Sequence, residues 1–262
     1  MISALLARIG LDEMPAADVR GLFTLHRAFL ERVPYEDLAV QLGESSPLSE
    51  PSLFARLLAD GRGGYCFELN TVLAALLRAC GFSVTMHQAV VDGPGPTNHM
   101  ALVVDGAWLA DAGLGEGFLD PLPLVDGAHA VGPFTYRVAR VPGGWRVEQH
   151  EWGSLRSFTF SETVAVVEDF AAHHRRLSSD PASSFVRTLV VQRPLEDRIV
   201  TLRSRTLTAR GPDVNTRRLL TSSDELASAL ESSFGITVGG PRLARLWELA
   251  AEQHAAFEAR AA

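Results

Sequence analysis

Cys66 sits in the run Arg62-Gly63-Gly64-Tyr65-Cys66-Phe67-Glu68-Leu69-Asn70, where a glycine-rich turn gives way to the apolar, helix-forming stretch Phe67 to Ala79. A deprotonated thiol attacks carbonyl carbon, and a helix start favours the thiolate because aligned peptide dipoles place about half a positive charge there. Full ionisation of an ordinary thiol at neutral pH raises the nucleophile's concentration roughly thirtyfold, or about 2 kcal/mol. Such a nucleophile needs a base, and the base needs a group that orients it. His99 opens a strand-like segment after the turn-rich Asp92-Gly93-Pro94-Gly95-Pro96, and Asp111 ends the next one, in Asp111-Ala112-Gly113-Leu114-Gly115. The dipeptide Asp105-Gly106 between them is a hairpin signal, and a hairpin brings side chains of its two strands together. A carboxylate on one imidazole nitrogen then fixes the tautomer and leaves the other nitrogen for the thiol.

The remaining candidates carry weaker chemistry. Cys80 lies with Leu73, Leu76 and Leu77 on the apolar part of the same helical stretch and reads as packing. Among the eight histidines, His26, His173, His174 and His254 fall in amphipathic or charged segments and read as surface or boundary residues. His87 and His150 are strand residues and stay open as alternatives to His99. There is no Cys-x-x-Cys and no His-Glu-x-x-His, so no metal is expected. No Gly-x-Ser-x-Gly elbow is present. Gly113-x-Gly115-x-Gly117 has the look of a dinucleotide loop, but it runs into Pro121-Leu122-Pro123 rather than a helix. Arg175-Arg176 and Arg217-Arg218 read as solvated surface, with phosphate contact as the alternative.

The elements that must position these groups change character along the 262 residues. Ile2, Leu5, Leu6 and Ile9 recur at helical spacing, as do Val19, Leu22, Leu25, Phe29 and Leu30 before Pro34. A short helix from Ser49 to Leu58 follows, then the Cys66 helix up to Gly81. Strand patterns begin after Gly81: Ser83 to Val91, His99 to Val104, Ala107 to Asp111, Phe134 to Val141, Trp145 to Trp152 and Leu155 to Phe160. Glu162 to Arg176 reads as partly helical, Phe185 to Val191 and Arg198 to Leu207 as strands, and Ser223 to Phe234 and Pro241 to Ala261 as helices. The apolar content of 47% and charged content of 21% are those of a globular protein. All 24 basic residues are arginine, which excludes Schiff-base lysine chemistry and the lysine of a phosphate loop. A net charge of -7 gives no basic field for nucleic acid or an anionic membrane. With two cysteines, no visible leader and no apolar run near the ~20 residues of a membrane span, the expected location is the cytoplasm.

The chain resembles the arylamine N-acetyltransferases. Arg62 to Asn70 meets every fixed position of that family's Arg-Gly-Gly-x-Cys-x-Glu-x-Asn motif, and His99 with Asp111 to Gly115 matches its histidine strand and Asp-x-Gly-x-Gly. Val33-Pro34-Tyr35-Glu36-Asp37-Leu38 resembles its Pro-Phe-Glu-Asn-Leu element, Leu5 to Ile9 its N-terminal signature, and Ser178 to Phe185 its Ser-x-x-Pro-x-Ser-x-Phe stretch. The resemblance implies an α+β fold with a cysteine-protease- or transglutaminase-like catalytic core. Its parts would be a helical bundle (1–82) carrying the nucleophile, a β-barrel-like domain (83–192) carrying His99 and Asp111, and a C-terminal α/β lid (193–262). It implies a Cys66-His99-Asp111 triad and ping-pong acetyl transfer from acetyl-CoA, a co-substrate rather than a resident cofactor, to an aromatic amine, hydrazine or hydroxylamine. By position, Asn98, Gly113, Leu114 and Gly115 would lie near the coenzyme. Tyr35, Phe67, Leu114 and Phe185 would line the acceptor pocket, and Glu36 with Arg62 would form a structural ion pair. Leu114 and Tyr35 stand where the family commonly has Phe, and Asn98 where Thr often precedes the histidine, which alters the pocket's size and polarity. A related branch, polyketide amide synthases, shares the cysteine motif and would add a carrier protein as partner; a homodimer is a further partner to consider. A transglutaminase-like cysteine hydrolase shares the Cys-His-Asp order, but Glu68 and Asn70 argue against it, and the intact triad argues against a mere binding protein.

Overall fold

The computed structural model describes residues 1–261. Its first part holds α1 (Ile2–Arg8), α2 (Val19–Arg32), the two-residue strand β1 (Tyr35–Glu36), α3 (Leu38–Gln41), α4 (Glu50–Asp60) and α5 (Cys66–Ala79). Leu22, Leu25, Phe29 and Leu30 give α2 its buried stripe, and Asp18 caps it by accepting from the Gly21 amide at 2.7 Å. Pro34 pushes Val33 into extended backbone and so ends the helix. α5 is buried from Cys66 through Leu77 on every side, as an apolar helix at the centre of a bundle must be.

Eight antiparallel strands form the barrel-like sheet: β2 (Val84–Val91), β3 (His99–Val104), β4 (Trp108–Ala110), β5 (Leu122–Pro123), β6 (Gly127–Val131), β7 (Phe134–Val141), β8 (Gly144–Glu148) and β9 (Ser157–Ala165). Their order is β5-β4-β3-β2-β9-β8-β7-β6. β3, buried at all its residues, lies between β2 and β4 and packs on α5. Asp105 and Gly106 take φ +50 and +66, the left-handed pair that a tight hairpin requires. Leu102 pairs with Ala110, so Asp111 comes opposite Ala101, and His99 becomes its diagonal neighbour on the same face.

A 3₁₀ turn (Val167–Phe170), α6 (Ala171–Ser179) and α7 (Ser184–Arg187) lead to β10 (Val190–Pro194), β11 (Ile199–Arg203), β12 (Thr206–Gly211) and β13 (Val214–Leu219), then α8 (Ser223–Phe234) and α9 (Gly240–Ala261). The second antiparallel sheet runs β1-β10-β11-β12-β13, and α8 and α9 share a core with it around Val191, Leu202, Leu230 and Leu246. The α+β class therefore stands, with bundle, barrel-like sheet and C-terminal α/β unit all present.

The boundaries differ from the expected ones. β10 runs through the 192/193 division, and β1, from the N-terminal segment, pairs Tyr35 with Gln192 and Glu36 with Val191. Two residues are too few to show alternation, so that strand was invisible in the pattern. Phe185, expected in a strand, lies instead in α7, because Ser183 caps that turn by accepting from the Phe185 amide. The segment after Glu162 stays in strand to Ala165 before turning helical.

Candidate active site

The loop that leads into Cys66 is held by two acid–base pairs and two close backbone approaches. Glu68, in the first turn of α5, accepts from the Tyr65 amide at 3.1 Å and so satisfies a donor at the helix start. The same carboxylate meets the Arg56 guanidinium twice, each contact at 2.8 Å, with both side chains buried. Arg62, buried beneath the loop, lies 3.6 Å from Glu36 and 3.9 Å from Glu44, which places the expected Glu36–Arg62 pair at ion-pair distance. A Cβ at position 63 would stand 1.7 Å from the Pro34 carbonyl oxygen, so only glycine fits there. Position 113 is also too tight for a side chain: a Cβ would stand 2.5 Å from Cys66 Cα.

This loop sets Cys66 as the first residue of α5, 2% exposed, its thiol donating to the Asn98 carbonyl at 3.4 Å. Burial pushes the thiol well above its ordinary value, and Asp111 pushes it further; the Phe67 and Cys66 amides at the helix start pull it down. Burial wins, so the helix start alone does not make the thiolate.

His99 Nε2 meets Asp111 Oδ2 at 2.6 Å, both side chains almost wholly buried. The other Asp111 oxygen accepts from Asn70 Nδ2 at 2.9 Å and from the Gly113 amide at 2.8 Å. Asn70, one helical turn beyond Cys66, also donates to the Met100 carbonyl at 2.6 Å and accepts from the Ala112 amide at 2.8 Å. One amide side chain thus ties α5 to β3 and to the Asp111–Ala112 segment that follows β4. His87 is engaged elsewhere, by the Ser161 carbonyl and Thr85 Oγ1 at 2.8 Å each. His150 is likewise held by the Glu116 carbonyl and the Trp152 amide.

Cys66 and His99 line one cleft of about 240 Å³ together with Asn98, Gly113, Leu114, Tyr35 and Phe185. Phe67 does not line it. Its ring packs against Phe170 and Tyr65, with centroids 5.4 and 6.1 Å apart, because the residue after Cys66 is turned about 100° around the helix. Gly115 sits behind the wall, at φ +67, against Tyr35 and Gln192. Among the described residues no group of three or more His, Cys, Asp or Glu could hold a metal ion, and no helix is long and apolar enough to cross a membrane.

Several buried contacts lie where the pattern pointed to surface. His26 is fully buried and stacks on Phe118; its Nδ1 meets the Leu119 carbonyl at 2.9 Å and its Nε2 accepts the Asp111 amide at 3.0 Å. His174 is buried too, bonded to the Tyr65 hydroxyl at 2.5 Å and to the Ser46 carbonyl, and His254 is buried on α9. Arg176 holds the loop before His99 through the Thr97 carbonyl at 2.8 Å. The partners of His26, His174 and Arg176 come from remote parts of the chain, which periodicity does not report.

Burial keeps the His26 imidazole below its ordinary value of 6.5, so the unfolded chain binds a proton that the folded chain refuses. Stability therefore rises with pH up to about 6.5 and is lost below it, by at most about 1.4 kcal/mol per pH unit for one group. His26→Gln keeps a donor and an acceptor but does not titrate. Urea unfolding at pH 5 and pH 7 is expected to show a smaller difference in that variant than in the wild type.

The chain's relatives match this arrangement in extent and fold. The N-acetyltransferase family model matches residues 18–243. The arylamine N-acetyltransferase of Mycolicibacterium smegmatis is 30% identical over 252 residues, 89% of this chain and 91% of the relative. The proansamycin X synthase of Amycolatopsis mediterranei is 26% identical over 60% of this chain and 67% of its own length. The solved arylamine N-acetyltransferase of Mycobacterium abscessus superposes with a TM-score of 0.86 at 31% identity, covering 96% of this chain and 95% of that one. The Mycobacterium marinum enzyme, solved in complex with CoA, gives 0.87 at 25% identity over 96% and 99%. With that match across nearly its whole length, the chain belongs to the arylamine N-acetyltransferase family.

Proposed function

We propose that this chain transfers an acetyl group from acetyl-CoA to an arylamine, arylhydrazine or arylhydroxylamine by a ping-pong route through acetyl-Cys66. The observation that carries the reading is the 2.6 Å contact of Asp111 with His99, which lines the same cleft as Cys66. Asp111 holds Nε2, so Nδ1 is the nitrogen that takes the thiol proton as Sγ attacks the thioester carbonyl. The imidazolium then protonates the departing CoA sulfur. In the second half, the amine nitrogen attacks the acetyl carbon, His99 accepts its proton, and the Cys66 thiolate leaves. Pairing thiolate with imidazolium offsets the cost of ionising a buried thiol, which neither group could meet alone. The Cys66 and Phe67 amides at the start of α5 favour the negative sulfur.

Donor and acceptor reach Cys66 from different sides in this reading. A second cavity of about 530 Å³ shares Ser154, Thr188 and Arg203 with the cleft and adds Arg210, Arg217 and Arg260. Its arginines suit the phosphates of CoA, whose thioester end would pass Asn98, Gly113 and Leu114. Tyr35, Leu114 and Phe185 would face the acceptor ring. Amide synthesis from a longer acyl chain is the second reading, favoured by the proansamycin X synthase relative and by the size of the adjoining cavity. Incubation with acetyl-CoA without amine tests the first: about one equivalent of CoA should be released per chain. No release from folded protein would defeat it, and acylation by long-chain donors alone would favour the second.

A further inference from the structure

Among the described residues Asp37 is the one acid that lines the Cys66 cleft, and its placement is unusual. It is 1% exposed. Its Oδ1 accepts the Val190 amide at 2.9 Å, while its own amide donates to the Val190 carbonyl at 3.2 Å. The carboxylate is therefore clamped between the end of β1 and the start of β10. Its Oδ2 has no hydrogen-bond partner among the described residues. Arg203, exposed at the mouth of the cleft, attracts the carboxylate but forms no ion pair with it among those residues. A buried polar oxygen left without a donor is costly, and more so when charged, so a ligand that brings a donor is favoured over one that does not. Asp37 also stands where the pattern Pro-Phe-Glu-Asn-Leu has Asn, so the acid is a departure of this chain.

We propose that Asp37 sets acceptor specificity: Oδ2 accepts a hydrogen bond from a ring hydroxyl, and the preferred acceptors are aromatic amines that carry a hydroxyl group. A ring methyl would leave the oxygen bare. A hydroxyl is small enough for a cleft of about 240 Å³ and, on an aromatic ring, is a stronger donor than acceptor. Burial raises the Asp37 carboxyl well above the usual carboxylate range, and a donor supplied to Oδ2 by a ligand would draw it back down. Sites built to bond a substrate hydroxyl discriminate strongly against analogues without one, because the analogue leaves the site's own group unpaired.

The inference rests on the acyl-Cys66 reading, and the test separates the two. The kcat/KM for each aminophenol isomer is divided by that for the matching toluidine, in wild type, Asp37→Leu and Asp37→Asn. Comparing this ratio between variants cancels the ring's own nucleophilicity and any general loss of activity. For the preferred isomer the ratio should fall at least about threefold in both variants, and further in Asp37→Leu. Asp37→Asn keeps an acceptor for the Val190 amide, so it serves if the leucine variant does not fold. A smaller fall in either folded variant overturns the proposal. Acetylation of wild-type Cys66 is scored separately by mass: its absence defeats the underlying reading, whereas acetylation with an unchanged ratio defeats only the role of Asp37.

Discussion

Asp111→Asn should lower kcat/KM for acetyl transfer by about 10³- to 10⁴-fold while leaving the chain folded. The size follows from where the new amide group must point. Asp111 Oδ1 receives two donors, Asn70 Nδ2 and the Gly113 amide, at 2.9 and 2.8 Å. An asparagine there keeps its oxygen on that side and turns its NH₂ towards His99 Nε2. The ring must then offer a lone pair at Nε2 and carry its proton on Nδ1, the nitrogen that the proposed route needs to accept the thiol proton. The base is present but in the wrong tautomer. Single-turnover acylation measured against pH checks this: the variant should be slow at neutral pH with an unchanged unfolding midpoint.

His99→Gln should make Cys66 nearly inert at neutral pH. Burial and Asp111 both push the thiol up, well above its ordinary value of 9.0, and only a neighbouring imidazolium can compensate. Without it, less than about 1% of the thiol is ionised at pH 7. Iodoacetamide should alkylate the variant at least about 100-fold more slowly than wild type, with the reactive limb displaced to alkaline pH. Equal alkylation rates at pH 7 would mean that His99 does not share the thiol proton. Combining His99→Gln with Asp111→Asn should cost little more than the first alone, because the two act as a unit.

How far the sequence disclosed the site depends on how local each contact is. Glu68 and Asn70 act within or one turn beyond the start of α5, and the hairpin at Asp105-Gly106 fixes the register that brings His99 beside Asp111. Such short-range geometry is written in spacing. His26 reaches Asp111 across 85 positions, and Asp37 meets Val190 across 153, so only the folded chain reveals either. The same limit explains why a helix start alone was a poor guide to the thiol: its pull is local, whereas the opposing burial comes from the bundle and sheet closing over it. Position in the motif points Phe67 to the pocket, whereas helical rotation places it in the core.

The most direct test is intact-protein mass spectrometry of wild type and Cys66→Ala after brief exposure to acetyl-CoA with no amine present. The wild type should gain the mass of a single acetyl group, located on Cys66 by peptide mapping, and lose it on addition of an arylamine as the acetylated amine appears. Cys66→Ala should gain nothing. Acetyl transfer to the amine by a wild-type chain that never carries the acetyl group, or by Cys66→Ala at a comparable rate, would contradict the account.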